Sequence, residues 1–254
     1  MVFNKFSAVT LILMALGICT TVGFADARET KIEQNIQSWS VGMGATRIIY
    51  NPESSGAIIS VNNPNDYPVL VQSKVSTASK REPAPFVVTP PLFRLDAHQQ
   101  SNLRIIMTGD ASAKDRETLY WLCATGIPPK QDEAWAKDVK INNADVAVIN
   151  VKIKASQCIK LLVRPAAIKG HPEQQATSVI WSVEGGKLKA TNPTPYYMNL
   201  TSLKVDGQDI YSPELISPMS STLYSMNGKH PGKVVWEIVN DFGGMSGPFE
   251  SPVH

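Results

Sequence analysis

The chain has 254 residues, 43% of them hydrophobic and 18% charged, with a net charge of +2. That length exceeds the usual single domain and suggests two. The near-neutral balance gives no support to a nucleic-acid binder or a strongly basic membrane binder, so any useful charge has to be local.

The chain opens on Lys5, an apolar run from Ala8 to Ile18 and small residues that include Ala25-Asp26-Ala27. This reads as a secretory signal, residues 1–27, with cleavage after Ala27. The run is shorter than the ~20 apolar residues of a spanning helix. In Leu16-Gly17-Ile18-Cys19 a bulky Ile stands where a lipoprotein site carries a small residue. Export removes Cys19 and leaves Cys123 and Cys158, an even pair in an oxidising compartment. Bridged, they would close a loop worth roughly 4 kcal/mol on the chain-entropy argument; two separate buried thiols are the other reading.

After an extension at 28–46, the mature chain reads as short strands at Arg47–Tyr50, Gly56–Val61, Val69–Val75, Phe86–Val88, Phe93–Leu95, Ser101–Met107, Thr118–Ala124 and Val146–Val163. Asn51-Pro52, Asn62-Asn63-Pro64-Asn65-Asp66 and Pro90-Pro91 punctuate them as turns or edges. The polar segment from Pro128 to Asp145, with its single Trp135, breaks the rhythm; a loop that long inside a domain is usually functional or mobile. In the strand that follows, Ile149, Val151 and Ile153 alternate with Asn150, Lys152 and Lys154, giving one oily and one wet face. Such a strand can bury its oily face in its own core or lend it to another protein. A Pro-containing connector at 165–172 leads to a second set at Val179–Val183, Lys187–Ala190, Tyr196–Val205, Thr222–Tyr224 and Lys233–Asn240. This spacing predicts an all-β fold of sandwich type.

Catalytic chemistry finds no foothold. His98, His171, His230 and His254 lie far apart without HExxH spacing, which argues against a metal site. Pro248 spoils a G-x-S-x-G elbow around Ser246, and Asp241-Phe242-Gly243 lacks the other kinase elements. There is no phosphate loop or dinucleotide fingerprint, so no cofactor is expected.

Four ordered stretches carry a resemblance. They are Asp115–Cys123 running to Ile127-Pro128-Pro129, Ile159–Ala166, Asn192-Pro193-Thr194-Pro195-Tyr196-Tyr197 and Asn240–Gly244. Together they resemble the periplasmic chaperones of the chaperone–usher pathway, over nearly all of the mature sequence. The long segment and the flanking cysteines resemble the long-loop subfamily, which serves thin fibres and nonfimbrial adhesins.

The resemblance implies two immunoglobulin-like β-sandwiches in an L or boomerang arrangement, residues 28–165 and 166–254. It implies a periplasmic protein that is not an enzyme. Its partners would be a fibre or adhesin subunit with an incomplete immunoglobulin fold and an outer-membrane usher, with weak self-association of the free protein. Ile149, Val151 and Ile153, with Val146 or Ala147 at the far end, would enter the subunit's open groove as a donor strand. Arg47, on the first strand, and Lys160 would anchor the subunit's C-terminal carboxylate. Glu117, Arg164 and Asp241 would form an interdomain ion network, and a Cys123–Cys158 disulfide would brace the donor strand. The rival reading is a secreted immunoglobulin-like fibre subunit or adhesin, a single incomplete sandwich, which two full strand sets disfavour.

Overall fold

The computed structural model describes residues 33–109, 113–128, 148–211, 213, 215–226 and 232–254; for 33–35, 37 and 148–150 it describes the backbone alone. The signal segment, Trp135 with nearly all of the 128–145 segment, Val146 and Ala147 lie outside the described residues.

Two hydrophobic cores form, each between a pair of sheets. In the first, a four-stranded sheet runs β2 (Gly42–Met43), β4 (Ala57–Asn62), β8 (Gln100–Met107), β6 (Phe86–Thr89). Facing it is a five-stranded sheet in the order β3 (Arg47–Tyr50), β11 (Ser156–Val163), β9 (Thr118–Ile127), β5 (Val69–Thr77), β7 (Leu92–Leu95). Period-two alternation decides which side chains fill the space between them. Val69, Val71 and Val75 of β5, Tyr120 and Leu122 of β9, and Ile159, Leu161 and Val163 of β11 are buried against Ile59, Val61, Leu103 and Ile105.

The second core lies between β12 (Ile180–Glu184), β13 (Lys187–Asn192), β16 (Ser220–Tyr224) and the sheet β15 (Gln208–Asp209), β14 (Leu200–Val205), β17 (Lys233–Val239), β18 (Met245–Pro252). Trp181 and Trp236 meet at its centre with ring centroids 5.2 Å apart. A short 3₁₀ segment, Pro172–Ser178, leads into it.

Three strand expectations need correction. The run expected as one strand, Val146–Val163, is broken at Ala155 into β10 (Val148–Lys154) and β11. The break coincides with a change of partner. β11 pairs with β9 and β3, whereas β10 pairs in parallel with β1 (Glu33–Trp39), a strand expected only as an extension. Arg47 therefore lies on β3, with β1 and β2 ahead of it. The glycine-rich stretch after Asp241 passes into β18, which carries Pro248 at a sheet edge, where a missing N–H costs no ladder bond.

Candidate functional site: an exposed ribbon beside a cationic cleft

β1 and β10 form a two-stranded ribbon that belongs to neither sandwich sheet. Its register places Gln34 beside Ile149, Ile36 beside Val151 and Ser38 beside Ile153. Neighbours in a parallel pair share a face, so the oily positions of β10 and Ile36 lie on one side of the ribbon. Of these, Ile36 is 61%, Val151 41% and Ile153 45% exposed. In β11, the same alternate positions, Ile159, Leu161 and Val163, are core. The strand thus outruns its own sandwich and carries the pattern of a core-facing strand beyond both cores formed by the described residues.

The ribbon is fastened at its base. Trp39, at the end of β1, is fully buried against Tyr67, with centroids 5.2 Å apart, and the Tyr67 hydroxyl donates to the Ser38 carbonyl at 2.9 Å. Gly126 donates its N–H to the Ala155 carbonyl at 2.9 Å, and a Cβ there would run into the Trp39 carbonyl. Only glycine lets β1 cross so close to β9.

At the other end of β11, Lys160 lies opposite Arg47 of β3 in a parallel register. Arg47 is nearly buried. Its Nη1 donates to the Val239 carbonyl of the second sandwich at 3.1 Å, while its Nε is buried with no partner among the described residues. Burial pulls the Arg47 guanidinium below its ordinary value, against the pull of Asp241 and Glu117. Burial also lowers Lys160, and the nearby positive charges of Arg47 and Lys80 lower it further. Among the described residues no carboxylate bonds to either cation. Two adjacent, partly desolvated cations with spare donors have the chemistry to hold one carboxylate.

Arg164, directly after β11, ties the two cores together. Its Nε donates to Glu117 at 2.8 Å, and Nη1 and Nη2 hold both oxygens of Asp241 at 2.7 and 2.6 Å. Glu117 also accepts the Tyr197 N–H at 2.8 Å, and Arg164 lies 4.9 Å from the centroid of Tyr196. Burial works against the Arg164 charge, but its bonds to the two carboxylates outweigh it and raise the guanidinium above its ordinary value. The carboxylates diverge: burial pushes Glu117 up, whereas hydrogen bonds from Arg164 and His171 outweigh burial at Asp241 and pull it down. Asp241 sits in the β17–β18 turn. There Asn240 Oδ1 accepts the N–H groups of Phe242 and Gly244, and Gly243, at φ +85°, packs where a Cβ would strike Thr46. That left-handed turn brings the second sandwich against the residue beside Arg47. Cys123 and Cys158 stand opposite each other on β9 and β11 and are joined as a disulfide.

Residues 40–169 match the family described as pili and flagellar-assembly chaperone, PapD N-terminal domain, and residues 174–248 match the pili assembly chaperone PapD, C-terminal domain. The chain belongs to the PapD family of pili-assembly chaperones. This chaperone is 44% identical to the chaperone protein AggD of Escherichia coli, over 96% of each chain. Among solved structures it is similar to the E. coli chaperone DraB, with a TM-score of 0.77 and 46% identity over 87% of this chain and all of DraB. It is also similar to a Salmonella enterica SafB chaperone solved with the SafA pilin, with a TM-score of 0.76 and 43% identity over 87% of this chain and 99% of that one.

The structure brings Arg47 to Lys160, and Glu117 to Arg164 and Asp241. Of the three donor positions it describes the side chains of Val151 and Ile153, both exposed; at Ile149 it gives the backbone pairing with Gln34. Sequence reasoning missed β1 with Ile36, and it missed His171, whose Nδ1 lies 2.8 Å from Asp241. In β1, Ile36 and Trp39 are the only apolar residues and do not alternate, so no period marked the strand.

Proposed function

We propose that this chaperone works in the periplasm, after removal of residues 1–27, and caps fibre or adhesin subunits whose immunoglobulin-like fold lacks a strand. The ribbon inserts β10 into the subunit's groove, with Ile149, Val151 and Ile153 as plugs and Ile36 of β1 beside them. Main-chain bonds give affinity, and alternate side chains fill the pockets the missing strand leaves. The capped subunit is then handed to an outer-membrane usher. The observation that carries this reading is the exposed apolar face of a strand whose other half is sandwich core. The SafB relative, solved with a pilin, supports it.

Arg47 and Lys160 take the subunit's C-terminal carboxylate and set register, because a two-residue slip keeps the same face inward yet misplaces every plug. The Glu117–Arg164–Asp241 network holds the sandwiches, divided at residues 165/166, at the angle that keeps this cleft open. Buried ion pairs of this kind fix geometry more than they add stability. The same open face gives the free protein a tendency to self-associate weakly. Co-expression with a candidate subunit, followed by pull-down from periplasm, tests the anchor: Arg47→Ala and Lys160→Ala should each leave the subunit degraded or aggregated. Undiminished recovery of a one-to-one complex with both variants would sink it.

A further inference from the structure

On the outward face of the five-stranded sheet, around the Cys123–Cys158 bridge, lies an open concavity of about 380 Å³ lined by Lys74, Ser76, Lys80, Thr125, Lys154 and Ser156. Sheet register explains the gathering. Lys74 lies opposite Cys123, which lies opposite Cys158; one side-chain step along, Thr125 lies opposite Ser156 and bonds its hydroxyl at 2.9 Å. Three ammonium groups and three hydroxyls therefore line one hollow with no carboxylate among them. Among the described residues, none of the three lysines has an ion-pair partner. Unneutralised like charges in a shared concavity concentrate anions.

This hollow is continuous with the Arg47–Lys160 pair. Trp121 lies between Ser76 and Lys160 in register, and its ring carries Lys80 Nζ at 3.8 Å and Lys160 Nζ at 5.5 Å from the centroid. Lys160 is close enough to Lys80 for the positive charge of Lys80 to depress it. The cations thus form one string, from the cleft over the indole to the disulfide.

We propose that Lys74, Lys80 and Lys154 form a second anion subsite, which takes an acidic side chain of the same peptide whose terminal carboxylate sits at Arg47 and Lys160. The inference rests on the anchor reading above and adds a selection rule to it. A strand advances about 3.3 Å per residue and repeats its face every second one. From Lys160 the sheet reaches Cys158 and Ser156 after two and four residues. An extended peptide running alongside, with its last side chain on the face of Lys160, brings the side chain two or four residues before that one to the hollow and turns the penultimate side chain away. The subsite therefore selects subunits that carry Asp or Glu at those places.

The test uses the mature chaperone and N-acetylated octapeptides of alternating valine and threonine. One pair carries Glu or Gln two residues before the last, and a second pair carries the same exchange at the penultimate place. A fifth peptide is the first Glu peptide with an amidated C-terminus. We expect the first Glu peptide to bind about three- to tenfold more tightly than its Gln partner, as a charge-assisted contact near the surface allows. The second pair should bind equally. Replacing the lysines together (Lys74→Gln, Lys80→Gln, Lys154→Gln) should reduce the first preference below about twofold while amidation still weakens binding, with the melting temperature checked to show that the variant folds. Equal binding of the first Glu and Gln peptides, with amidation still harmful, overturns the subsite and leaves the anchor standing. A preference that is the same at both positions, or that survives the triple substitution, also overturns it, as does failure of the first Glu peptide to bind. An amidated peptide that binds as well as the free acid overturns the anchor, and the register argument with it.

Discussion

Shortening the two exposed plugs, Val151→Ala with Ile153→Ala, should separate binding from stability. Fully burying an aliphatic side chain is worth ~1.5–3 kcal/mol. Val151 is 41% and Ile153 45% exposed in the free chaperone, so a little under half of that gain is still to be made when a subunit covers them. This leaves about 1 kcal/mol each. Truncation forfeits most of it, and the unfilled pocket in the subunit adds a cavity cost to part of the remainder. The pair should therefore weaken the subunit complex by about 2 kcal/mol, roughly thirtyfold in Kd. The free protein should lose less, because side chains over two-fifths exposed leave an open dent rather than a closed internal cavity when shortened. Competition between wild-type and variant chaperone for a limiting refolded subunit reads the first quantity, and thermal unfolding of each free chaperone reads the second. A melting temperature lowered by many degrees with subunit affinity unchanged would refute the reasoning, since these side chains would then be serving the chaperone's own core.

Two further outcomes follow from the interdomain network and the disulfide. Asp241 is held below its ordinary value, so it contributes stability above the unfolded-state value near 4, and that contribution is lost as pH falls through its lower folded value. Glu117, raised by burial, runs the other way: its contribution is present below its ordinary value and is lost as pH rises through the raised one. Asp241→Asn should thus lower the urea midpoint at neutral pH and flatten its fall below about pH 4; parallel wild-type and variant profiles there would count against the assignment. Paired Cys158→Ser and Cys123→Ser changes release a loop spanning 35 residues, worth at most ~4 kcal/mol on the chain-entropy argument. Denaturant unfolding should show a loss of up to that size, and an unchanged midpoint would show that the bridge constrains little.

Much of the architecture was legible because it rests on local alternation. Val69, Val71 and Val75, or Leu103 and Ile105, mark their strands with no knowledge of partners. The cationic pair was legible too, but only through motif resemblance; Arg47 taken alone reads as a surface arginine. What the sequence hid depends on long-range partners. β1 has no period of its own and is a strand because β10 lies beside it. Ala155 looks like any strand residue until β10 and β11 are seen to pair with different neighbours. β18 was masked by its glycines and Pro248, which an edge strand tolerates. His171 meets Asp241 across 70 residues of chain, a contact no spacing rule announces.

The central claim is that β10 enters the client as a strand, and backbone amide exchange measures this directly. Hydrogen–deuterium exchange on the free chaperone and on a purified one-to-one subunit complex should show strong new protection across Val148–Lys154, with the β5, β9 and β14 amides unchanged. Protection confined to the Arg47–Lys160 cleft, with Val148–Lys154 exchanging as fast in the complex as in the free protein, would contradict the account.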